Sequence, residues 1–174
     1  MQGGNSLPMQ NIEIKAKYED LDRAENIARK VGANFESSIH QLDTYFFVND
    51  GRLKLREIST GTNQLIYYVR PNQAGPKTSA YHIYPVEAPK QLEKILAAAL
   101  GIWKSVEKQR EVYLFDEVRV HLDKVKSLGN FLELEGVVSS GSDKDKIREK
   151  VDWLISQFEV RNHELIEVSY SDLV

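Results

Sequence analysis

The sequence predicts an α+β fold in which eight short antiparallel strands form a sheet and three amphipathic helices lie against it. Three observations carry this expectation. Strand-like stretches recur at about 11–18, 40–49, 51–58, 63–71, 78–87, 104–115, 117–124 and 130–138. Short turns such as Asn49-Asp50-Gly51 and Ser59-Thr60-Gly61-Thr62-Asn63 join several of them, as in antiparallel hairpins. Three further segments each place apolar residues on one helical face.

In chain order, residues 1–10 (MQGGNSLPMQ) are small and polar and read as a flexible leader or tag remnant, and residues 11–174 as a single domain. The first strand sets Ile12, Ile14 and Ala16 on one face and Glu13, Lys15 and Lys17 on the other. A helix over 20–31 aligns Leu21, Ala24, Ile27, Ala28 and Val31 and stops at Gly32. Tyr45, Phe46 and Phe47 alternate faces and read mostly as packing. Arg52, Lys54 and Arg56 oppose Leu53 and Leu55. The helix over 89–100 opens with Pro89, carries Leu92, Ile95, Leu96 and Leu100, and ends at Gly101. Lys108 and Arg110 share a face, and Arg119, His121 and Asp123 oppose Val118, Val120 and Leu122. Glu133 and Glu135 oppose Leu132 and Leu134. The last helix, over 143–158, takes Ser142 as N-cap and aligns Ile147, Val151, Leu154, Ile155 and Phe158. Trp103 and Trp153 read as core.

Composition narrows the function classes. The 174 residues are 41% hydrophobic and 28% charged, ordinary globular usage, so the chain can build a core without staples. There is no cysteine, which removes disulfides, thiolate metal sites and a cysteine nucleophile. A net charge of −3 argues against a general nucleic-acid coat. No apolar run reaches the ~18 residues of a membrane helix, and a cytoplasmic location is expected. No phosphate loop of the GxxxxGK[ST] type occurs.

The distribution of charge is more informative than its sum. An open sheet with one wet face attracts mixed charges, yet here two strands are almost purely cationic on one face and another carries paired carboxylates. Segregation of this kind points to a lumen or groove that holds a polyanion and its metal together. A triphosphate carries about four negative charges and needs several Lys or Arg donors converging from different strands. Mg²⁺ or Mn²⁺ needs hard oxygen ligands, which Glu133 and Glu135, at i and i+2, can offer with Glu13 from another strand.

These same residues resemble a known family. Asn11-Ile-Glu13-Ile-Lys15 matches, with one departure, the ExExK signature of the CYTH domains, or triphosphate tunnel metalloenzymes. The resemblance continues in order through Gln41-Leu-Asp43-Thr44-Tyr45-Phe46, Gly51-Arg52-Leu-Lys54-Leu-Arg56-Glu57, Tyr67-Tyr-Val-Arg70-Pro71, Val106-Glu-Lys108-Gln-Arg110, His121-Leu-Asp123 and Gly129-Asn-Phe-Leu-Glu133-Leu-Glu135-Gly136. It ends at Ser169-Tyr170-Ser171-Asp172-Leu173. It implies a closed eight-stranded antiparallel barrel, a tunnel polar within and buttressed by helices, acting on a triphosphate with Mg²⁺ or Mn²⁺.

Carried over by motif, the metal ligands would be Glu13, Glu133 and Glu135, with Asp123 a further ligand or water-positioning group. Lys15, Arg110 and Asp123 would be catalytic, and Lys54, Arg56, Arg70 and Lys108 would bind substrate. Lys17 and Arg52 would bind substrate too, ranked lower because they lie nearer strand ends. Lys77, in the Gln73-Ala-Gly75-Pro76-Lys77 loop, reads as a solvated lysine. The departure is Asn11, where the signature has Glu; an amide can ligate or hold a metal-bound water but brings no charge. His40 and His121 read as structural, and His82 and His163 as surface residues.

Three activities share such a cradle: cyclisation of ATP with loss of pyrophosphate, hydrolysis of a tripolyphosphate or an organic triphosphate such as thiamine triphosphate, and non-catalytic polyphosphate binding. The Gln41–Phe46 and His121–Asp123 text is closest to the class IV adenylyl cyclase branch. The partner implied is a triphosphate small molecule, with neither nucleic acid nor membrane, and a homodimer is compatible with the cyclase branch.

Overall fold

Eight strands close into an antiparallel barrel in the order β1-β5-β4-β3-β2-β6-β7-β8. The computed structural model describes residues 9–69, 76–139 and 141–174. The strands are β1 (Met9–Lys17), β2 (Asn34–Phe46), β3 (Arg52–Ile58), β4 (Asn63–Val69), β5 (Lys77–Val86), β6 (Ile102–Phe115), β7 (Val118–Val125) and β8 (Gly129–Val138). The helices are α1 (Leu21–Lys30), α2 (Pro89–Leu100), α3 (Lys144–Gln157) and the short α4 (Tyr170–Leu173). The expected α+β barrel with flanking helices is therefore the observed fold.

The barrel is turned apolar side out. Ile12, Ile14, Val120, Leu122, Leu132 and Leu134 point outward from β1, β7 and β8 into a core completed by α1 and α3. On the opposite wall Phe46, Leu55 and Val86 meet Leu92, Leu96 and Ala97 of α2. Because strand residues alternate faces, every apolar residue sent out to a helix sends its neighbour inward, which gives the barrel a polar interior.

Local chemistry sets the joints. Asp20 caps α1 by accepting from the Arg23 amide at 2.9 Å. Gly51 turns the β2–β3 hairpin with φ of 66°, and a Cβ there would meet the Tyr67 hydroxyl and the Tyr68 carbonyl, each at 2.8 Å.

Four details differ from expectation. β1 begins at Met9, where Met9 and Gln10 pair with Tyr81 and Ala80 of β5, so pairing enters the presumed leader by two residues. β2 begins at Asn34 rather than near residue 40, because its first residues follow β6 through a register shift between Phe35 and Ser37 that breaks the clean alternation. The cap of α3 is Asp143, whose carboxylate accepts from the Asp145 and Lys146 amides, while the Ser142 hydroxyl turns to Ser139. Trp153 is 43% exposed and stacks on Phe115 at the surface instead of entering the core.

Gly136 lies close beneath α3: a Cβ there would lie 2.5 Å from Ile147 Cγ2 and 3.1 Å from Val151 Cγ2. Gly136→Ala should therefore cost about 1–3 kcal/mol and lower the melting temperature by several degrees. An unchanged melting curve would show that α3 does not seat on β8 in this way.

Candidate active site

The barrel interior holds a cavity of about 380 Å³, the size range of small-ligand sites. Its long axis has a direction. The N-terminal ends of β1, β2, β4 and β7 share one rim with the C-terminal ends of β3, β5, β6 and β8, as the antiparallel order requires. At that rim the lining residues are Ile39, Ile58, Ile83 and Val137. The middle carries the charges. At the other end Val106, Val125 and Phe131, all buried, pack with Tyr45 and Tyr170.

Among the described residues the lining holds six basic side chains, including Arg119, and four acidic ones, with Asp123 behind them as a fifth carboxylate. Two aspartates organise four of the bases. Asp43 of β2 sits directly opposite Arg56 of β3, accepting from Arg56 Nε at 2.9 Å and from Lys54 Nζ at 2.7 Å. Asp123 of β7 sits opposite Arg110 of β6, accepting from Arg110 Nε and Nη2 at 2.6 Å each and from Lys108 Nζ at 3.0 Å. The Tyr170 hydroxyl donates to Asp123 at 3.0 Å. The same Lys-x-Arg spacing on β3 and β6 thus meets the same partner on the neighbouring strand.

Burial would raise the pKa of both aspartates, but their cations more than reverse it and hold each well below the carboxylate range. The lysines pay in the opposite direction: burial and the adjacent Arg56 lower Lys54 to about 7, and burial and Arg110 lower Lys108 to about 8. Lys15, from β1, lies 4.0 Å above the Tyr170 ring and 4.0 Å from Glu133.

Glu13, Glu133 and Glu135 form the acidic wall. Glu13 and Glu135 are direct register partners on β1 and β8, as are Lys15 and Glu133. Glu133 accepts from Arg110 at 2.6 Å, and Lys15 and Arg110 overcome its burial to hold its pKa well below the usual value. Glu135 goes the other way: burial raises it, Arg119 offsets this, and Glu133 and Glu13 add to the rise. The Asn11 amide bridges this wall, donating to Glu135 and accepting from the Tyr81 hydroxyl at 3.0 Å.

Among the described residues no three acidic or imidazole groups form a ready-made metal cluster. The donor set nonetheless fits a divalent ion of the kind that binds through one or two carboxylates plus substrate phosphates. Glu13 and Glu135 face one another across the strand pair, and their mutual repulsion is what a cation would relieve.

The structure brings Lys15, Lys54, Arg56, Lys108, Arg110, Glu13, Glu133 and Glu135 to one cavity. Asp123 lies behind that layer, 0% exposed, with its oxygens taken up by Arg110, Lys108 and Tyr170 rather than offered to the lumen. Lys17 turns to the Leu128 carbonyl and the Phe131 ring, and Arg52 forms two bonds to Asp172 under Trp103. Neither lines the cavity. Arg70 and Gln73–Gly75 lie outside the described residues, and Lys77 begins β5 opposite Glu13. His40 is exposed and bonds Glu107, whereas His121, read as structural, lines the cavity. Burial and Arg110 keep the His121 imidazole well below its usual pKa, and its Nδ1 is buried without a partner among the described residues.

Sequence reasoning passed over Tyr170, Tyr68 and Ser79 as lining residues. Tyr68 and Ser79 have lumen parity on β4 and β5, a signal that was available; Tyr170 arrives from the chain terminus, which no periodicity reports.

A family model described as the CYTH domain matches residues 9–170. The chain is 27% identical over 175 residues to a "putative adenylate cyclase" of Methanocaldococcus jannaschii, covering 95% of this chain and 98% of that one. The PH1012 protein of Pyrococcus horikoshii superposes with a TM-score of 0.83 at 20% identity, over 94% of this chain and 99% of that one. A "putative adenylate cyclase" of Vibrio parahaemolyticus does so with 0.76 at 18% identity, over 95% and 98%. The two structures show the likeness of the fold.

The two kinds of carboxylate should respond differently to neutralisation. Asp123→Ala leaves Arg110 and Lys108 short of a partner and should cost about 3 kcal/mol, lowering the melting temperature by roughly 6–12 °C. Glu135→Gln removes a charge whose raised pKa marks it as unfavourable, so its melting temperature should be no lower than that of the unaltered protein. A reversed order in calorimetric melts would contradict this division.

Proposed function

Because the chain belongs to the CYTH domain family, we propose that it is a divalent-metal-dependent enzyme acting on a triphosphate, and specifically a class IV type adenylyl cyclase converting ATP to cyclic AMP and pyrophosphate. The observation that carries the reading is the pair of aspartate-held Lys–Arg sets that share one lumen with a carboxylate wall. The name of the archaeal relative supports the choice of cyclase.

In this reading Lys54, Arg56, Lys108 and Arg110 take the phosphate oxygens from two sides, the guanidiniums with a fixed planar fork and the ammoniums as movable point charges. Phosphoryl chemistry asks little of the protein beyond position and charge, so donors already aimed at the lumen lower the barrier with little rearrangement. Asp43 and Asp123 do the aiming; we assign Asp123 to holding Arg110 and Lys108 rather than to the metal. Lys15 and Arg110 lie against Glu133 and offset the charge that collects on the pyrophosphate as the ribose O3′–Pα bond forms, the Pα–O bond to that pyrophosphate breaks and the 3′-hydroxyl proton passes to solvent water. Glu13 and Glu135 would hold Mg²⁺ or Mn²⁺, which supplies Lewis-acid polarisation of the phosphate oxygens. Asn11 steadies the Glu135 carboxylate by donating to it from the side-chain amide, whose own oxygen accepts from the Tyr81 hydroxyl.

Purified protein given ATP or tripolyphosphate with Mg²⁺ or Mn²⁺ should yield cyclic AMP and pyrophosphate from ATP, identified by chromatography. Orthophosphate with ADP would make it a triphosphatase, and no product from either would leave a binding module. Glu13→Gln should reduce turnover by about a hundredfold or more while leaving the melting temperature nearly unchanged.

Binding should also take up protons. Lys54 and Lys108 sit near 7 and 8 in the free protein, and a bound polyanion favours their charged forms. At pH 8, calorimetry in two buffers of different ionisation enthalpy should show net proton uptake, with affinity falling as pH rises through this range. Proton release would contradict the placement of these lysines against the phosphates.

A further inference from the structure

We propose that Arg119 stands in for the divalent ion: in the free protein its guanidinium covers the Glu135 oxygen that a cation would take, and arrival of the cation releases the arginine to grip the phosphates. The inference rests on the metal and triphosphate reading above and gives a role to a lumen arginine that neither aspartate holds.

Register sets three groups in a row. Arg119 of β7 stands directly opposite Glu135 of β8, and Glu135 directly opposite Glu13 of β1. All three line the cavity. The two oxygens of Glu135 keep different company. Oε1 accepts from the Asn11 amide, whereas Oε2 accepts from Arg119 Nη1 at 3.3 Å and lies 4.0 Å from His121 Nε2. Burial raises the Glu135 pKa, and Arg119 is the strongest influence against that rise. A divalent ion on Oε2 would meet the guanidinium as a like charge on the same atom, so the ion and the arginine compete for it.

Arg119 is also the arginine most easily displaced. Arg56 and Arg110 are held at 2.6–3.0 Å by two and three bonds respectively. Among the described residues Arg119 makes only the 3.3 Å bond, and its side chain is 46% exposed against 21% for Arg56 and 8% for Arg110. Most of its N–H donors are therefore uncommitted. A single exposed ion pair is weak, and a divalent ion brings twice the charge to the same carboxylate. The alternative partner arrives in the same lumen, since a triphosphate on the Lys–Arg sets presents anionic oxygens that accept from a guanidinium in pairs. With Glu135 taken by the ion, the charge of Arg119 is free for those oxygens. Metal and polyanion thus favour one another by two routes, through their own attraction and through release of the arginine.

The test is Mn²⁺ binding to the protein without any triphosphate, read from the paramagnetic resonance signal of unbound Mn²⁺. Arg119→Gln removes the competitor and should tighten Mn²⁺ about three- to fivefold. Glu135→Gln should weaken it about tenfold, and in the double variant the gain from Arg119→Gln should vanish. A second reading is calorimetric binding of a triphosphate analogue with methylene groups in place of both bridging oxygens, so that neither bridge breaks. Arg119→Gln should weaken this analogue about fivefold at saturating Mn²⁺ and less than about twofold without metal. If Glu135→Gln weakens Mn²⁺ but Arg119→Gln fails to tighten it, or tightens it equally beside Glu135→Gln as general repulsion would, the arginine assignment falls and the metal reading stands. An equal loss of analogue binding with and without Mn²⁺ overturns the release step. If neither the unaltered protein nor Arg119→Gln binds Mn²⁺, the metal reading falls and the arginine assignment with it.

Discussion

Two buried aspartates, Asp43 and Asp123, are what allow the rest of this barrel interior to exist. Four cations packed into one lumen would repel one another and suffer loss of hydration; each aspartate supplies a fixed counter-charge to one lysine and one arginine. The compensation is partial by design of the geometry. Guanidiniums keep their charge under any of these conditions, while both lysines drop toward neutrality, so the cluster stands ready to accept more negative charge than its own residues provide.

The apolar-out barrel makes this arrangement possible. Helices α1 and α3 cover one wall and α2 another, so the hydrophobic contribution to folding comes from outside the strands and the inside is released from packing duty. Only at the end near Tyr170 does the lumen itself become core, and that closure gives the cavity its one-directional gradient. Within it the acidic wall is uneven: Glu133 is held by Arg110 and Lys15, while Glu135 is propped by the neutral amide of Asn11 and left with a raised pKa. An uncharged residue at position 11 thus moderates a wall whose carboxylates already oppose one another.

Much of the site could be read from strand parity. Glu13 and Lys15, Lys54 and Arg56, Lys108 and Arg110, Glu133 and Glu135 were each assigned a face by the alternation of their apolar neighbours, and all eight line the cavity. Parity failed where a side chain's fate depends on depth or on a partner from elsewhere. Asp123 shares the face of His121 yet is swallowed by two cations and a tyrosine; Arg52 shares the face of Lys54 yet is drawn off by Asp172 from the chain terminus. His121 looked like an ordinary strand histidine until the neighbouring strands placed it against the acidic wall.

By itself the sequence determined the eight strands, the three main helices, the parity of the strand residues and the segregation of charge among strands, because alternation and helical periodicity are properties of a few consecutive residues. Tertiary structure alone decided that the sheet closes, which cation meets which aspartate, how deep each charge lies and which end is sealed. Those outcomes depend on register between strands far apart in the chain, such as Asp43 opposite Arg56 or Asp123 opposite Arg110, and register is set by the whole barrel closing at once.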